Sequence, residues 1–322
     1  MIKNELLEML AGQEGYVSGE QLSHRLGISR TAVWKQIQSL RQQGYEIEAE
    51  PRRGYRLKGR PDRLLPQEIA RQLTASRLGK RIVYFEETDS TNEVAKRLAR
   101  EGAEEGTLVV AEAQTKGKGR LGRQWLSPAG EGLYFTLILR PPFPPQRAPQ
   151  MTLIAAVAVA RALSEATGLE VKIKWPNDIL VNGRKVAGIL TEMVADMDRI
   201  HYLVVGIGIN INQEKEAFPS EVAEIATSLR AELGYSLSRL PVLVKCLSEL
   251  ERVYEVWLKE GFGPLLAEWK RFSHTLGQWV RVNVGEEIVE GKALEIEEDG
   301  SLLIQQKDGS FYRVIAGDVL FS

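Results

Sequence analysis

The chain has 322 residues, enough for two or three domains, and its hydrophobic fraction of 43% and charged fraction of 26% are ordinary for a globular protein. Its 42 Lys and Arg residues nearly balance its 43 Asp and Glu residues, which excludes a polycation that coats nucleic acid and a disordered acidic tail. A single cysteine excludes an intrachain disulfide, and three widely separated histidines argue against a structural zinc site.

Neither the N-terminus nor the most apolar stretch has the pattern of a membrane segment. The first ten residues have the periodicity of an amphipathic helix and no long apolar run. Residues 151–160 are apolar, but Arg161 follows at once, and about ten residues are too few to span a bilayer. We therefore predict a buried helix there and expect a cytoplasmic protein without membrane contact. The lone cysteine suits a reducing compartment.

Charge is spread unevenly along the chain. Residues 21–63 hold ten Lys or Arg against four Asp or Glu, whereas residues 276–322 hold four against nine. A basic block on a neutral chain indicates that one module meets an anion. We predict three domains: 1–63, then 64–273 with alternating helix and strand patterns, and 274–322 with short strands separated by Asp-Gly turns.

The first domain has the pattern of a winged helix-turn-helix. Ser18 and Gln21 predict a capped helix start, Gly27 predicts its end, and Ser29 predicts the cap of a second helix. Two short strands follow around an arginine-tipped turn, as in a wing. In the second helix the buried stripe consists of Val33, Ile37 and Leu40.

The opposite face of the second helix and the wing carry the side chains that we expect to contact DNA. Such residues can hydrogen-bond base edges in a major groove or pair with phosphates. A helical hairpin with an ordinary solvated face is the alternative. We assign Trp34, at the edge of the stripe, to packing. The predicted DNA-binding residues are Ser29, Arg30, Thr31, Lys35, Gln38, Arg52 and Arg53.

A glycine-rich loop follows an apolar strand at residues 107–113. Residues 117–122 match the G-x-G-x-x-G pattern of dinucleotide-binding folds, but that site requires a helix directly after the glycines. Here Pro128 and two glycines break any helix and a strand starts at Leu133, so we reject a Rossmann site. A mobile loop with solvated charges is the alternative, but its close cations favour a phosphate-type ligand: Lys116, Lys118, Arg120 and Arg123.

Two later segments predict strands that approach a ligand. Residues 172–190 indicate a strand, a Pro-Asn-Asp corner, a strand, an Asn-Gly turn and a strand bearing Lys185, which could also simply extend to the rim. Residues 201–212 indicate a buried strand in which Gly206 and Gly208 mark either a close approach or a β-bulge.

A helix start is predicted near residue 90. Ser90 and Glu93 have the spacing of a capping box. Hydroxyl and amide groups at such a helix N-terminus can also bind a polar or anionic group.

In this order and spacing, these elements resemble the biotin protein ligases. The motifs are Ser90-Thr91-Asn92, the 117–125 loop, the KWPND string at 174–178, GRKVAGIL at 183–190 and GIGIN at 206–210. The resemblance covers the whole chain, and its two terminal domains are similar to the bifunctional ligase and biotin operon repressor. It implies an α+β multidomain fold: a winged helix-turn-helix, a mixed α/β ligase domain and a small SH3-like β-barrel.

The resemblance implies that biotin and ATP give biotinyl-5′-AMP and pyrophosphate, after which a lysine of biotin carboxyl carrier protein attacks the adenylate. Mg²⁺ would accompany ATP, with no metal fixed by the protein. The implied catalytic residues are Lys185, Arg120 and Asp178. The implied biotin-binding residues are Ser90, Thr91, Asn92, Gln114, Lys118, Gly119, Arg120, Lys185, Gly188, Gly206 and Gly208. The implied nucleotide-binding residues are Arg120, Arg123, Trp125 and Asn210.

Regulation follows from the same resemblance. If the adenylate orders loops of the central domain, it can favour a homodimer that presents two winged helices to operator DNA. Two alternatives stay open. One is a lipoate or octanoate protein ligase, and the other is a biotin-sensing repressor that has lost catalysis.

Overall fold

The structure is a computed structural model that describes residues 2–74, 77–285 and 287–321. It divides into two compact units, Met1–Arg63 and Leu64–Ser322. The elements of the first unit are α1 (Ile2–Ala11), α2 (Gly19–Leu26), α3 (Arg30–Gln42), β1 (Glu46–Glu50) and β2 (Gly54–Gly59).

The first unit is the predicted winged helix-turn-helix. Ser18 and Gln21 form the capping box of α2, Gly27 ends that helix in the left-handed region, and Ser29 caps α3 through the amide of Ala32. Strands β1 and β2 form an antiparallel hairpin around the arginine-tipped turn. The predicted stripe of α3 is buried together with side chains of α1 and α2. The buried residues are Leu6, Leu10 and Leu22 from α1 and α2, and Val33, Ile37 and Leu40 from α3.

The second unit begins with alternating helices and strands. Its elements in chain order are α4 (Pro66–Gln72), β3 (Ile82–Thr88), α5 (Thr91–Arg100), β4 (Leu108–Gln114), β5 (Gly132–Leu139), α6 (Ala148–Thr167), β6 (Val171–Lys174), β7 (Asp178–Val181), β8 (Arg184–Ala195), β9 (Ile200–Asn210), α7 (Ser220–Ala223), α8 (Leu229–Leu233), α9 (Arg239–Glu260) and α10 (Gly263–Phe272).

Seven of these strands form one mixed sheet in the order β3-β4-β5-β9-β8-β7-β6. Only β3 and β4 run parallel, whereas β4 and β5 are antiparallel neighbours joined by the glycine-rich loop. The connection is therefore strand, loop, strand, as predicted, and the rejection of a Rossmann site is confirmed. The apolar stretch 151–160 lies inside α6, which is buried over most of its length and packs against the sheet and α9.

The last strands are β10 (Trp279–Val284), β11 (Glu287–Ile296), β12 (Leu302–Gln305), β13 (Phe311–Val314) and β14 (Asp318–Phe321). They form a separate antiparallel sheet in the order β13-β12-β11-β10-β14. The short strands predicted for this part of the chain are present. Two hydrogen bonds fix this sheet against the central part of the unit. Trp175 Nε1 donates to the Gly300 carbonyl at 3.0 Å, and Gln150 Nε2 donates to the Glu298 carbonyl at 2.6 Å.

A buried ion pair secures the start of the second unit. Arg239 Nη2 lies 2.8 Å from Glu112 Oε2, and both side chains are almost fully buried. The other carboxylate oxygen of Glu112 accepts from the backbone amide of Leu64 at 2.8 Å. Arg239 also donates to the carbonyl of Gly132, where β5 begins. The pair therefore joins the first residue of this unit to two strands of the sheet.

Within the described ranges, no helix is both long enough and apolar enough to cross a membrane.

Candidate active site

Lys185 lies near the start of β8, where the pairing with β7 is irregular. Ile179 is opposite Ala187, but Leu180 is opposite Lys185, so Val186 is an extra residue, as at a β-bulge. Bulges redirect neighbouring side chains and are common beside active sites. Lys185 Nζ lies 2.6 Å from Asp178 Oδ1, and it is half-buried. The structure therefore brings together two of the three residues predicted to be catalytic.

Trp125 lies over the glycine pair beside this lysine. Gly188 and Gly208 are opposite each other on β8 and β9. A β-carbon on Gly208 would lie 2.5 Å from Trp125 Cε2, and one on Gly188 would lie 3.2 Å from Trp125 Cζ3. Lys185 Nζ is 5.5 Å from the centre of the indole ring. The sequence left a close approach or a β-bulge open at Gly206 and Gly208. The structure shows close approaches, by Asn92 at Gly206 and by Trp125 at Gly208, and β9 is continuous there without a bulge.

The glycine-rich loop folds back on itself between β4 and β5. Gly119 donates its amide to the Arg123 carbonyl at 2.7 Å, and Trp125 donates to the Gly117 carbonyl at 2.9 Å. These bonds bring Trp125 back to the base of the loop. Leu121, at the tip, has a positive φ of 55° and is exposed. The loop is thus a compact turn that carries its cations on one short stretch of chain.

The two loop arginines contact residues outside the loop. Arg120 donates to Asn177 Oδ1 at 2.9 Å and to the Gly317 carbonyl at 3.3 Å. Arg123 forms an ion pair with Asp318. Burial lowers the pKa of Arg120 below its ordinary value. The two loop arginines therefore lie between the Pro-Asn-Asp corner and the start of β14.

Lys118, the next loop cation, forms an ion pair with a residue of α5. Its Nζ is 2.5 Å from Glu93 Oε1 on α5, and the same carboxylate pairs with Lys96. The predicted capping box at this helix is wrong, because Ser90 is the N-cap residue but makes no side-chain capping bond. Glu93 is instead attracted outward by two ammonium groups, which lower its pKa, the hydrogen bond from Lys118 contributing most.

A hydrogen-bonded group of polar side chains lies at the start of α5. Thr91 donates its amide to Gln114 Oε1 at 2.8 Å, and Gln114 Nε2 donates to Ser127 Oγ at 2.9 Å. Asn92 fills the space left by Gly206, where a β-carbon would lie 1.9 Å from Asn92 Oδ1. Ser90, Thr91 and Asn92 are all buried. The structure thus groups five residues predicted to bind biotin: Thr91, Asn92, Gln114, Gly206 and neighbouring Ser90.

Asn210 is separate from that group. It is buried at the end of β9, and its Nδ2 donates to the carbonyl of Thr227 at 3.0 Å. Thr227 in turn donates its amide to the Lys185 carbonyl at 2.9 Å. Asn210 therefore fixes a backbone segment that borders the Lys185 strand.

Sequence reasoning did not assign several residues that the structure places here. Thr136 interrupts an apolar strand and donates to Asn92 Oδ1 at 2.7 Å, a signal that could have been noticed. Asn177 and Lys174 lie in the quoted KWPND string. Burial is the main cause that lowers the pKa of Lys174. Asp318 carried no such signal, because its contact with Arg123 joins distant parts of the chain.

Residues suited to hold a resident metal ion do not cluster here. Across residues 2–74, 77–285 and 287–321, no three His, Cys, Asp or Glu side chains lie together in such a group. Asp178, the acid beside Lys185, already pairs with that lysine. A metal ion bound with the nucleotide would rely on phosphate oxygens and water for its ligands and not on a protein cluster.

The first unit presents its predicted DNA-binding side chains at the surface. Thr31, Lys35 and Arg52 are exposed, and Gln38 is half-buried. Arg30 pairs with Glu20 at 2.7 Å. Arg53 pairs with Glu50 and lies 4.3 Å from the ring centre of Tyr16, and Ser29 caps the helix.

Trp34 does not pack in the core of the first unit, so that prediction is wrong. Its side chain is 52% exposed, because one residue beyond Val33 turns it about 100° away from the buried stripe. It therefore adds an aromatic surface to the exposed face of α3.

Comparisons with known families match three successive parts of the chain. Residues 3–56 match the HTH domain, residues 84–210 match the biotin/lipoate A/B protein ligase family, and residues 275–322 match the biotin protein ligase C terminal domain. The winged helix-turn-helix, the central mixed α/β fold and the small C-terminal β domain predicted from the sequence are thereby confirmed.

Individual relatives match over nearly the full length. The bifunctional ligase/repressor BirA of Bacillus subtilis is 44% identical over 96% of this chain and 95% of its own length. Its counterpart from Escherichia coli is 32% identical over 98% and 95%. The structure of the Aquifex aeolicus biotin protein ligase in complex with biotin and ATP covers 76% of this chain and 100% of its own, with 34% identity and a TM-score of 0.66. The chain therefore belongs to the biotin/lipoate A/B protein ligase family, and within it to the bifunctional ligase/repressors.

Proposed function

We propose that this protein attaches biotin to a lysine of biotin carboxyl carrier protein and represses a biotin operon when it holds the adenylate. In the first step a carboxylate oxygen of biotin bonds to the α-phosphorus of ATP, and pyrophosphate leaves. In the second step the acceptor lysine nitrogen bonds to the biotin carbonyl carbon, AMP leaves with the bonding electrons, and the amine loses a proton. Biotin and ATP are substrates, and the adenylate is also the corepressor.

The observation that carries this proposal is Lys185 beside Asp178, under Trp125 and next to two glycines. A carboxylate and a phosphate repel each other, so their reaction needs fixed positive charge at the point of contact. The ammonium group of Lys185 supplies that charge without becoming a covalent nucleophile. Asp178 holds the ammonium in place before the substrates arrive and is well placed to meet the incoming acceptor lysine.

The loop residues complete the anion site. When substrate binds, Arg120 and Arg123 exchange their protein partners for phosphate and carboxylate oxygens, while Lys118 and Gly119 close over the biotin chain. The closed loop excludes water, which would otherwise hydrolyse the adenylate. Mg²⁺ bound with ATP would screen the phosphate charges.

The two ends of the adenylate have different surroundings. The biotin ring meets the polar group at the start of α5, with Gly188, Gly206 and Gly208 as close backbone walls. Trp125 covers the adenine, and Asn210 holds the segment beside the nucleotide. The ring residues are Ser90, Thr91, Asn92 and Gln114.

The test is incubation of the protein with biotin, MgATP and an acceptor domain, with mass detection of the modified carrier. Lys185→Ala is expected to lower the rate about 10²–10³-fold, the usual effect of removing one preorganised charge from a transition state. Lys80→Ala, an exposed lysine of the same unit, is the matched control. Robust transfer by Lys185→Ala overturns the catalytic assignment. If the wild-type protein prefers lipoate or octanoate, it is a lipoate or octanoate ligase. If it releases no pyrophosphate from biotin and ATP, it is a repressor without catalysis.

The repressor role adds two proposals about assembly and location. Adenylate binding orders the loop and favours a homodimer, which presents two winged helices to a two-fold symmetric operator. The second proposal is a cytoplasmic location, which the use of ATP and DNA supports. Gel-shift of DNA from the host biotin operon, with and without biotin and ATP, tests the corepressor idea. Equal binding in both conditions contradicts it, and light scattering of the same samples checks the dimer.

We also propose the three-domain division at 1–63, 64–273 and 274–322. The two compact units divide at residue 63, and the C-terminal sheet is hydrogen-bonded to the central part of the second unit. Support for the second boundary comes from the match of a distinct C-terminal domain that begins at residue 275.

A further inference from the structure

Glu192 on β8 binds two side chains near the predicted biotin site without belonging to its charged centre. Its Oε2 accepts from Asn92 Nδ2 at 2.9 Å, and its Oε1 lies 2.8 Å from Lys96 Nζ. An ionised carboxylate can only accept hydrogen bonds. The amide nitrogen of Asn92 must therefore face Glu192, because the reversed amide would oppose two acceptor oxygens. Lys96 balances the charge of Glu192 and so maintains this polarity.

The orientation of the Asn92 amide also determines the hydrogen bond of Thr136, which contacts it. Asn92 Oδ1 is an acceptor and lies 2.7 Å from the Oγ1 of Thr136, which is completely buried. Thr136 has a single hydroxyl proton, which it donates in a hydrogen bond to Asn92 Oδ1. Thr136 Oγ1 can then only accept from its other neighbour, the hydroxyl of Thr91 at 2.9 Å.

The chain ends at two oxygens that have lone pairs to offer. Both neighbours of the Thr91 hydroxyl are then acceptors, Thr136 Oγ1 at 2.9 Å and Gln114 Oε1 at 3.1 Å. Its one proton is therefore used inside the protein, and its Oγ1 offers only lone pairs to a ligand. Gln114 Oε1 also accepts from the Thr91 amide, and Gln114 Nε2 is committed to Ser127. Gln114 is the partly exposed member of the series. The open end therefore suits a ligand that brings N–H donors.

Packing keeps the chain in this arrangement. Asn92 lies so close to Gly206 that no side chain fits between them, and its Nδ2 also approaches the Leu190 carbonyl at 3.3 Å. The Asn92 amide is thus held between β8 and β9. Only the identity of its neighbours decides which end is oxygen.

We propose that Glu192 is a positioning residue that sets the hydrogen-bond direction from Asn92 through Thr136 to Thr91 and Gln114, so that the site accepts ring N–H groups. The inference rests on the proposed biotin ligase function. It names the chemistry that is selected: a cyclic urea carries two N–H donors, whereas lipoate and octanoate carry none. A site built to pair a buried hydrogen-bonding group rejects analogues that lack it much more strongly than a merely apolar pocket does.

The test compares wild type with Glu192→Gln, which keeps the shape but offers both donor and acceptor atoms. Binding of biotin alone is measured by calorimetry, and KM and kcat are measured for biotin and ATP. We expect biotin binding to weaken roughly tenfold and its KM to rise in parallel, about the effect of one misdirected hydrogen bond. The KM for ATP and kcat at saturating biotin stay unchanged. Asp196→Asn, at the end of the same strand and paired only with His201 in the ion pairs described, is the control.

A second measurement does not depend on the variant folding. Wild type is titrated with a biotin analogue that carries a methyl group on each ring nitrogen, and we expect it to bind at least tenfold more weakly than biotin. In Glu192→Gln this difference shrinks. Unchanged biotin binding by Glu192→Gln, equal effects on biotin and ATP, or equal binding of the methylated analogue by wild type each overturn the inference. If wild type forms no adenylate from biotin and ATP, the proposed function itself fails.

Discussion

The indole of Trp125 occupies the place that a side chain at position 208 would need. Gly208 lies on β9 with Gly188 opposite it, and a β-carbon there would be 2.5 Å from the ring. The loop can therefore pack Trp125 against the sheet only because β8 and β9 both have glycine, with no side chain, at these paired positions. This relationship makes the position of Trp125 testable by adding one methyl group.

Gly208→Ala is expected to displace Trp125 and weaken ATP binding about tenfold, because overpacking at a fixed site costs about 1–3 kcal/mol. Tryptophan fluorescence and ATP titration measure the two effects. Gly263→Ala is the control, since a β-carbon at that position meets nothing within 4 Å. Wild-type ATP affinity in Gly208→Ala would show that Trp125 does not cover the nucleotide.

Asp318→Asn is expected to strengthen ATP binding by up to about fivefold. Asp318 holds Arg123, which must leave it to meet a phosphate, and an exposed ion pair contributes about 0.2–1 kcal/mol. Calorimetry with ATP, in the presence of biotin, is the measurement. Asp308→Asn, in an exposed turn of the same sheet, is the control. Weaker binding by Asp318→Asn would mean that this carboxylate helps the bound state instead.

Glu93→Gln is expected to lower the free energy of unfolding at neutral pH by about 0.2–1 kcal/mol, since solvent screens this partly exposed pair. The hydrogen bond from Lys118 is the main cause that lowers the pKa of Glu93. The stabilisation is therefore complete above the ordinary carboxyl pKa and disappears as the pH falls through the lowered pKa. Urea unfolding at several pH values measures the difference from wild type. A difference that does not depend on pH would contradict this account, and Glu87→Gln is the control.

Lys35→Ala and Gln38→Ala are expected to affect operator binding in different ways. Removing the exposed Lys35 weakens binding to all sequences and reduces the salt dependence by about one counterion. Removing Gln38 costs about 1–3 kcal/mol at the operator and relaxes the preference for it. Fluorescence anisotropy with operator and scrambled DNA over a range of salt separates the two. Identical profiles for both variants would place α3 outside the major groove.

Local signals in the sequence were enough for most of the fold. Ser18, Gly27 and Ser29 mark helix boundaries through their own backbone and neighbours, and Asn182 and Gly183 both adopt the positive φ that their hairpin turn requires. The same local logic failed at Ser90. There, Glu93 pairs with Lys96 on the same helix and with Lys118 on the glycine-rich loop, and the spacing of a capping box reveals neither ion pair.

The candidate site divides in the same way. Glycines that lie beneath a bulky side chain could be recognised from their position inside a strand, as at Gly206. The partner of each cation could not be predicted, because Arg123 finds its acid 195 residues later through the arrangement of the two sheets. Thr136 lies between these cases: its type was visible, but its hydrogen-bond direction depends on Glu192, two positions removed in a chain of contacts.

The hydrogen bond from the Leu64 amide to the buried Glu112 also determines where this protein can be truncated. A ligase freed of its winged helix retains that bond if the chain starts at or before residue 63. A start a few residues later removes the amide donor, and a carboxylate deep in the sheet then keeps only its side-chain partners. Evolutionary loss or engineering of the N-terminal unit therefore has a sharply defined breakpoint, set by an interior charge and not by the flexibility of a linker.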